Sequence, residues 1–215
     1  MMETVAKRSD ARSTRERRPR RTREEARAHI IETTTELVRT RSYAQLSIGE
    51  IMDAAGIGRT LFYRYFDDLP DLLARASGEA IEELYAAEVE LEETYRDDPA
   101  KAVHFAIEAA VTVYSKHGPL LRALAEAATV DLRIATAQRA FRGRFDKLVT
   151  QVLSRLSDAG VPRVADVGET ARALNLLNTS YLLDAFGDKP RISPEIAVQT
   201  LTEIWLGVVG PVRSQ

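Results

Sequence analysis

The sequence predicts an all-α fold: a three-helix helix-turn-helix domain in front, then six further helices. Three observations predict it. The segment Ser47–Phe66, SIGEIMDAAGIGRTLFYRYF, reads as two short helices broken by Gly56-Ile57-Gly58, the organisation of a helix-turn-helix. From Glu24 onward apolar residues recur at helical spacing, with no segment alternating as a strand would. Aspartate and serine caps, glycines and prolines punctuate that pattern at intervals suited to single helices.

Taken in order, residues 1–22 lack apolar periodicity and are expected to be a disordered basic arm. The folded DNA-binding domain is expected over 23–68, its motif over about 47–66. Its first helix runs from about Glu24 to Arg41, with Ala26, Ile30, Leu37 and Val38 inward. Ser47 can cap the second helix, and Glu50 three residues on completes a capping box. Ile51, Met52 and Ala55 supply its apolar face, and Gly56 suits the left-handed residue that ends it. The third helix, from Arg59 to about Tyr65, turns Leu61, Phe62 and Phe66 inward and Arg59, Thr60, Tyr63 and Arg64 outward.

The rear part is expected over 69–215. Asp68 caps a fourth helix that continues to about Tyr95. A fifth follows from Pro99 to about His117, ended by Gly118-Pro119, and a sixth covers Pro119–Ala128. The seventh spans about Asp131–Asp158 and the eighth about Asp166–Phe186. Ser193 caps the ninth, which runs to about Val209.

The chain has 215 residues, 45% of them hydrophobic, enough for a sizeable core, and no cysteine. Disulfides, thiolate metal sites and thiol nucleophiles are therefore excluded. No apolar stretch approaches the roughly 20 residues that span a bilayer. The charged N-terminus has no apolar segment of signal-peptide type. A cytoplasmic protein without membrane attachment is expected. Net charge is only −2, but residues 1–75 carry 15 Lys and Arg against 12 Asp and Glu, whereas the remainder carries 15 against 20. Lys7–Arg23 alone holds nine basic residues and two acidic ones. Such an arm either solubilises the chain or lies along DNA phosphates. Arg20, Arg21 and Arg23 are the candidates for contact.

The segment GIGRTLFYRYFDDLPDLL, with SYAQLSIGEIMDAA before it, resembles the DNA-binding domain of TetR-family transcriptional repressors. Gly56, Ile57, Gly58, Tyr63, Tyr65 and Phe66 fit the family pattern, and the match covers roughly residues 23–75. The resemblance implies a double-stranded DNA operator as partner, with three helices in front and six behind. It also implies that Arg59, Thr60 and Tyr63 approach bases and phosphates. Arg59 can give a guanine two parallel hydrogen bonds, and Thr60 can touch a base edge or a thymine methyl. Tyr63, Tyr65 and Arg64 suit phosphate and sugar, and Ser47 sits at a helix N-terminus that favours an anion. Two departures stand out. Leu61 occupies a position usually small, hydroxylic or proline, and Leu69 replaces the usual phosphate-holding lysine.

In the rear part, Phe105, Tyr114, Phe141, Phe145 and Leu148 recur at helical spacings. Such a stripe alone reads as core. Asn175 and Asn178, three apart among leucines, require polar partners: a backbone carbonyl, a neighbouring subunit or a ligand. The run ARALNLLNTSYLLDAFGDKPRISPE, followed by EIW, resembles the ethionamide-resistance branch of the same family. That resemblance implies a channel for a small hydrophobic effector, lined by Asn178 and Trp205, by Asn175 a turn away, and by Phe105, Tyr114, Phe141, Phe145 and Leu148. Val103, Ala110 and Gln138 stand where that branch carries aromatics, implying a wider or more polar cavity. The eighth and ninth helices are apolar over more than one face, as a homodimer through a four-helix bundle would require.

Two other readings compete: a dimeric DNA binder without ligand, and a small all-helical enzyme. The enzyme rests on His104 and Glu108 sharing a helix face, which a surface ion pair explains far better. No catalytic set, resident metal or cofactor is expected.

Overall fold

A computed structural model describes residues 22–94, 99–158 and 164–209. Among them the regular elements are all helical, in agreement with the predicted fold class. They are α1 (Arg23–Leu37), a 3₁₀ turn (Tyr43–Gln45), α2 (Ile48–Ala54), a 3₁₀ segment (Arg59–Arg64), α3 (Leu69–Ala76), α4 (Gly78–Thr94), α5 (Pro99–Ala127), α6 (Leu132–Asp158), α7 (Val167–Phe186) and α8 (Pro194–Val209). The expected arm, with Arg20 and Arg21, lies outside the described residues.

Local chemistry sets the front elements. Thr22 caps α1 through a complete capping box: its Oγ1 accepts from the Glu25 N–H at 3.2 Å, and the Glu25 carboxylate accepts from the Thr22 N–H at 2.7 Å. Three consecutive threonines in α1 would ordinarily weaken a helix. Thr33, Thr34 and Thr35 each donate a hydroxyl to the carbonyl four residues back, at 2.8, 2.8 and 2.9 Å, so none is left unpaired. At the end of α2, Gly56 takes φ +65°. The Ile57 N–H reaches the Met52 carbonyl and the Gly56 N–H the Asp53 carbonyl, the bonding pattern of a Schellman cap.

Three predicted elements differ. The segment from Arg59 to Arg64 is 3₁₀ rather than α, with Leu61 N–H bonding Gly58 and Tyr65 N–H bonding Phe62. Its Thr and aromatic residues are weak α formers, and the burial of Phe62 within it and Phe66 just after it anchors it to the front core instead. The predicted fourth helix is two, α3 and α4. They meet at buried Ser77, whose hydroxyl bonds the Leu73 carbonyl at 2.8 Å, directly before Gly78. Conversely, the predicted fifth and sixth helices are one, because α5 runs through Gly118 and Pro119. Proline inside a helix costs about 3 kcal/mol, so tertiary packing offsets that cost. Gly118 is where it does so. The glycine sits so close to the end of α7 that a Cβ there would overlap the Phe186 carbonyl.

Apolar side chains gather in connected clusters. Ile30, Ile51, Met52, Phe62, Phe66 and Leu72 form the front core. Val38, Leu46 and Leu73 pack against Leu120, Leu124 and Ile134, joining the front to α5 and α6. Behind them, Val103, Ile107 and Val111 of α5 meet Leu174 and Leu182 of α7 and Leu201 and Trp205 of α8. Phe62 is fully buried, and truncating such a phenylalanine costs about 3–5 kcal/mol. No helix of the described residues is long and apolar enough to cross a membrane.

Candidate nucleic-acid interface and cavity

The 3₁₀ segment presents the predicted outward residues. Arg59, Thr60 and Arg64 are exposed, Tyr63 is 60% exposed, and Tyr65 is half-buried against Phe66. Thr60 and Tyr63 stand three apart, in line on a 3₁₀ helix. Beneath them Phe62 contacts Tyr63 edge-on at 5.3 Å and Phe66 at 5.4 Å, so the exposed tyrosine rests on a fixed core. The Arg59 guanidinium passes beside Gly49 on α2, close to Ser47. Two candidates from separate elements thus share one patch. Arg23, at the start of α1, is exposed as well.

Ser47 differs in one respect from its sequence reading. Its Oγ accepts from the Glu50 N–H at 3.2 Å, as a cap does, but its hydroxyl donates to the Glu50 carboxylate at 2.8 Å. That hydrogen bond, with Arg41 at 2.9 Å, holds the Glu50 carboxyl below the usual carboxylate range. A phosphate at Ser47 must displace this carboxylate. At the start of α3, where Leu69 stands, the aspartates are committed internally. Asp68 accepts the Asp71 N–H at 2.9 Å and pairs with Arg133, while Asp71 accepts the Asp67 N–H and pairs with Arg75.

Behind this surface, α4, α5, α6 and α7, with Ala74 of α3, line a cavity of about 520 Å³, within the roughly 300–1,000 Å³ of small-molecule sites. One wall is aromatic. Phe141 lies 5.0 Å from both Tyr85 and Phe145, and Tyr85 and Phe145 stack at 6.5 Å. The lining also carries Tyr114, Gln138, Arg142, Asn175, Asn178, Thr179 and Ser180. Burial pushes the Tyr114 hydroxyl above its usual pKa, against the opposing effects of a hydrogen bond with Thr179 and the nearby Arg142 charge. A second cavity of about 90 Å³ shares Leu84, Ala110, Phe145 and both asparagines with the first, and reaches Leu148 and Trp205.

The asparagines form the shared wall. Trp205 Nε1 donates to Asn178 Oδ1 at 3.0 Å, and Asn175 Nδ2 donates to Asp146 Oδ1 at 2.8 Å. An indole only donates and a carboxylate only accepts, so these bonds define which way each amide faces. The structure therefore brings Tyr114, Phe141, Phe145, Leu148, Asn175, Asn178 and Trp205 around the two cavities. Phe105 lines neither. On this stretch of α5 the cavity-side positions are Val103, Ala106, Ile107, Ala110 and Tyr114, and at 3.6 residues per turn Phe105 is rotated away. Tyr85, Arg142 and Thr179 were not singled out by sequence. Tyr85 sits in a helix without a distinctive motif, and Arg142 is one arginine among several in RAFRGRF.

His104 contacts Thr202 at 3.4 Å. Glu79, Glu83 and His117 bring ligand atoms within 4.8 Å of one another. Lys116 stands on both carboxylates at 2.8 and 2.7 Å, supplying a cation there itself and holding the Glu83 carboxyl below its usual range.

Comparison with known proteins accords with this layout. Residues 30–76 match the family model for bacterial regulatory proteins of the tetR family, and residues 103–210 that for the C-terminal domain of the transcriptional regulator EthR. The HTH-type transcriptional regulator EthR of Mycolicibacterium smegmatis is 26% identical over 184 residues, covering 85% of each chain. Its Mycobacterium tuberculosis counterpart is 26% identical over 180 residues, 82% of this chain and 83% of that one. Among solved structures, PfmR of Thermus thermophilus has a TM-score of 0.68 at 20% identity, covering 86% of this chain and 99% of its own. NalD of Pseudomonas aeruginosa, the secondary repressor of the MexAB-OprM multidrug efflux pump, has a TM-score of 0.68 at 22% identity, covering 88% and 99%. AibR, solved with isovaleryl coenzyme A and operator DNA, has a TM-score of 0.58 at 16% identity, covering 84% and 97%.

Proposed function

We propose that this chain, which belongs to the TetR family of bacterial regulatory proteins and carries a C-terminal domain of the EthR type, is a repressor released from its operator by a small hydrophobic molecule. The family makes it a DNA-binding transcriptional regulator; its relatives and structural neighbours are regulators, not enzymes. Ligand response is the proposed part. The observation that carries it is the cavity of about 520 Å³ walled by α4 to α7, which lies directly behind the elements that hold the DNA-reading segment.

In this reading Arg59 and Thr60 discriminate bases, and Tyr63, Tyr65, Arg64, Ser47 and Arg23 contact sugar and phosphate. Arg20 and Arg21 add contacts from the arm. The functional unit is a homodimer acting in the cytoplasm. Leu177 on α7 and Ile196 and Ile204 on α8 are exposed large apolar residues. This supports, as the subunit interface, the helix pair that the sequence suggests. Two recognition segments then read half-sites about 34–36 Å apart. A ligand wedged among α4 to α7 displaces α5 and α7, and with them the contacts that α5 makes with the end of α1. The spacing of the two recognition segments changes and the operator is released. Such a ligand must bind the DNA-free arrangement more tightly.

The test is a melting-temperature screen against hydrophobic small molecules, with each stabilising compound then added to the protein–operator complex. A compound that raises the melting temperature and dissociates the complex supports the proposal. Compounds that fill the cavity and leave the complex intact favour a ligand-independent DNA binder.

A further inference from the structure

Of the residues that line the larger cavity, only Arg142 is charged. Burying a guanidinium against an apolar wall without a counter-charge is unfavourable, and buried arginines ordinarily meet carboxylates. Here the neighbouring charges are already engaged. Asp146, one turn along α6, accepts from Asn175, and the Arg144 guanidinium lies 4.1 Å above the Tyr85 ring. Arg142 is half-buried and forms no hydrogen bond or ion pair among the described residues. Its charge nevertheless reaches the Tyr114 hydroxyl.

Asn178 adds to this. Its Oδ1 is taken by Trp205, which leaves its NH₂ donors uncommitted among the described residues. The lining thus offers a guanidinium and an amide, both donors, together with the Tyr114–Thr179 hydroxyl pair. The same lining holds the aromatic cluster of Tyr85, Phe141 and Phe145, the last two flanking Arg142 on α6. A neutral hydrocarbon would satisfy the aromatic cluster and leave these donors unpaired.

We propose that the cavity selects an amphipathic monoanion: an aliphatic carboxylate whose head pairs with Arg142 and whose chain lies along the aromatic wall. One planar guanidinium matches one carboxylate through two parallel N–H···O bonds. With a single cation on the lining, the site matches one negative charge rather than a polyanion. This rests on the effector reading above and names the chemical class of that effector.

The test is isothermal titration calorimetry on the full-length protein at neutral pH, where a carboxylic acid is ionised, with sodium decanoate and 1-decanol as probes of equal chain length. Decanoate is expected to bind about tenfold or more tightly than decanol, the span of one charge-assisted hydrogen-bonded pair. Arg142→Gln is expected to remove that preference while still binding decanol, which reports that the cavity is formed. Arg142→Lys is expected to retain part of it. Equal affinities in the wild-type protein, or no decanoate binding, overturn the proposal whether or not the variants fold. A preference that survives in Arg142→Gln also overturns it. Adding each probe to the operator complex separates the two readings. Equal binding with operator release overturns the headgroup assignment and leaves the effector reading intact. A decanoate preference without release upholds Arg142 and overturns the effector reading.

Discussion

Arg122 on α5 donates from Nη2 to the carbonyl of Val38 at 2.9 Å, at the C-terminus of α1. The same guanidinium reaches the Arg41 carbonyl at 3.1 Å, the Gly187 carbonyl at the end of α7 at 2.8 Å, and Glu126 at 2.9 Å. Glu126 in turn accepts from the Tyr43 N–H in front of α2. One side chain therefore ties the cavity wall to the element that ends α1, where cations are favoured by the exposed carbonyls. Arg122→Ala leaves those part-buried carbonyls without their charged donor, at a cost of about 1.5–3 kcal/mol. The expected loss in melting temperature by calorimetry is roughly 3–12 °C for a chain of this size. An unchanged melting temperature would remove Arg122 from the account of how the two parts are joined.

The crossing of α5 over α7 gives a second expectation. Alanine normally stabilises a helix relative to glycine by roughly 0.5–1 kcal/mol. Gly143 on α6 has open space around a built Cβ, so Gly143→Ala should raise the melting temperature slightly. At Gly118 the added methyl would overlap the Phe186 carbonyl, and overpacking of this kind costs about 1–3 kcal/mol. Gly118→Ala should therefore lower the melting temperature although it improves helix propensity. A rise for both variants would mean that α5 and α7 are not in close contact.

On the DNA side, Arg59→Ala is expected to lower affinity for the selected operator by about 1–3 kcal/mol and to relax preference at one base position. Binding to unrelated duplex should change less. Replacing Arg20 and Arg21 is expected to weaken binding to every sequence and to flatten its salt dependence. Fluorescence anisotropy at several salt concentrations separates the two. An unchanged slope would make the arm a solubilising tail.

Acid should act at the start of α6. Hydrogen bonds from Arg133 hold the Asp131 carboxyl at about 2, against an ordinary 3.8. A carboxyl depressed in the folded state stabilises above its ordinary value, and that contribution disappears as pH falls from about 4 through about 2. Arg133 also bridges to Asp68, the N-cap of α3, at 2.6 Å. Melting temperature should fall more steeply across that window in the wild-type protein than in Asp131→Asn. Parallel profiles would show that this pair contributes nothing measurable.

Much of this was legible in the sequence, for identifiable reasons. Caps and left-handed glycines are local, so the starts of α1, α2, α7 and α8 and the turn at Gly56 follow from short-range chemistry. The continuation of α5 through Pro119 was not legible, since it depends on contact between Gly118 and Phe186, far apart in the chain. The 3₁₀ form of Arg59–Arg64 likewise depends on where the front core holds Phe62 and Phe66. In the cavity, Asn175 and Asn178 could be named because amides among leucines demand partners, and Trp205 through the family resemblance. Their partners, Asp146 on α6 and each other, come from helix packing. Arg142 looks like any surface arginine until its neighbours are seen to be engaged elsewhere.

The most direct test is a paired titration. The operator is first selected from a random duplex pool, and its affinity is measured with no ligand and with a saturating cavity ligand. Ligand affinity is then measured with and without operator. Operator affinity is expected to fall at least about fivefold, and ligand affinity to fall by the same factor when operator is bound, since coupling is reciprocal. An operator affinity unchanged at ligand saturation would contradict it.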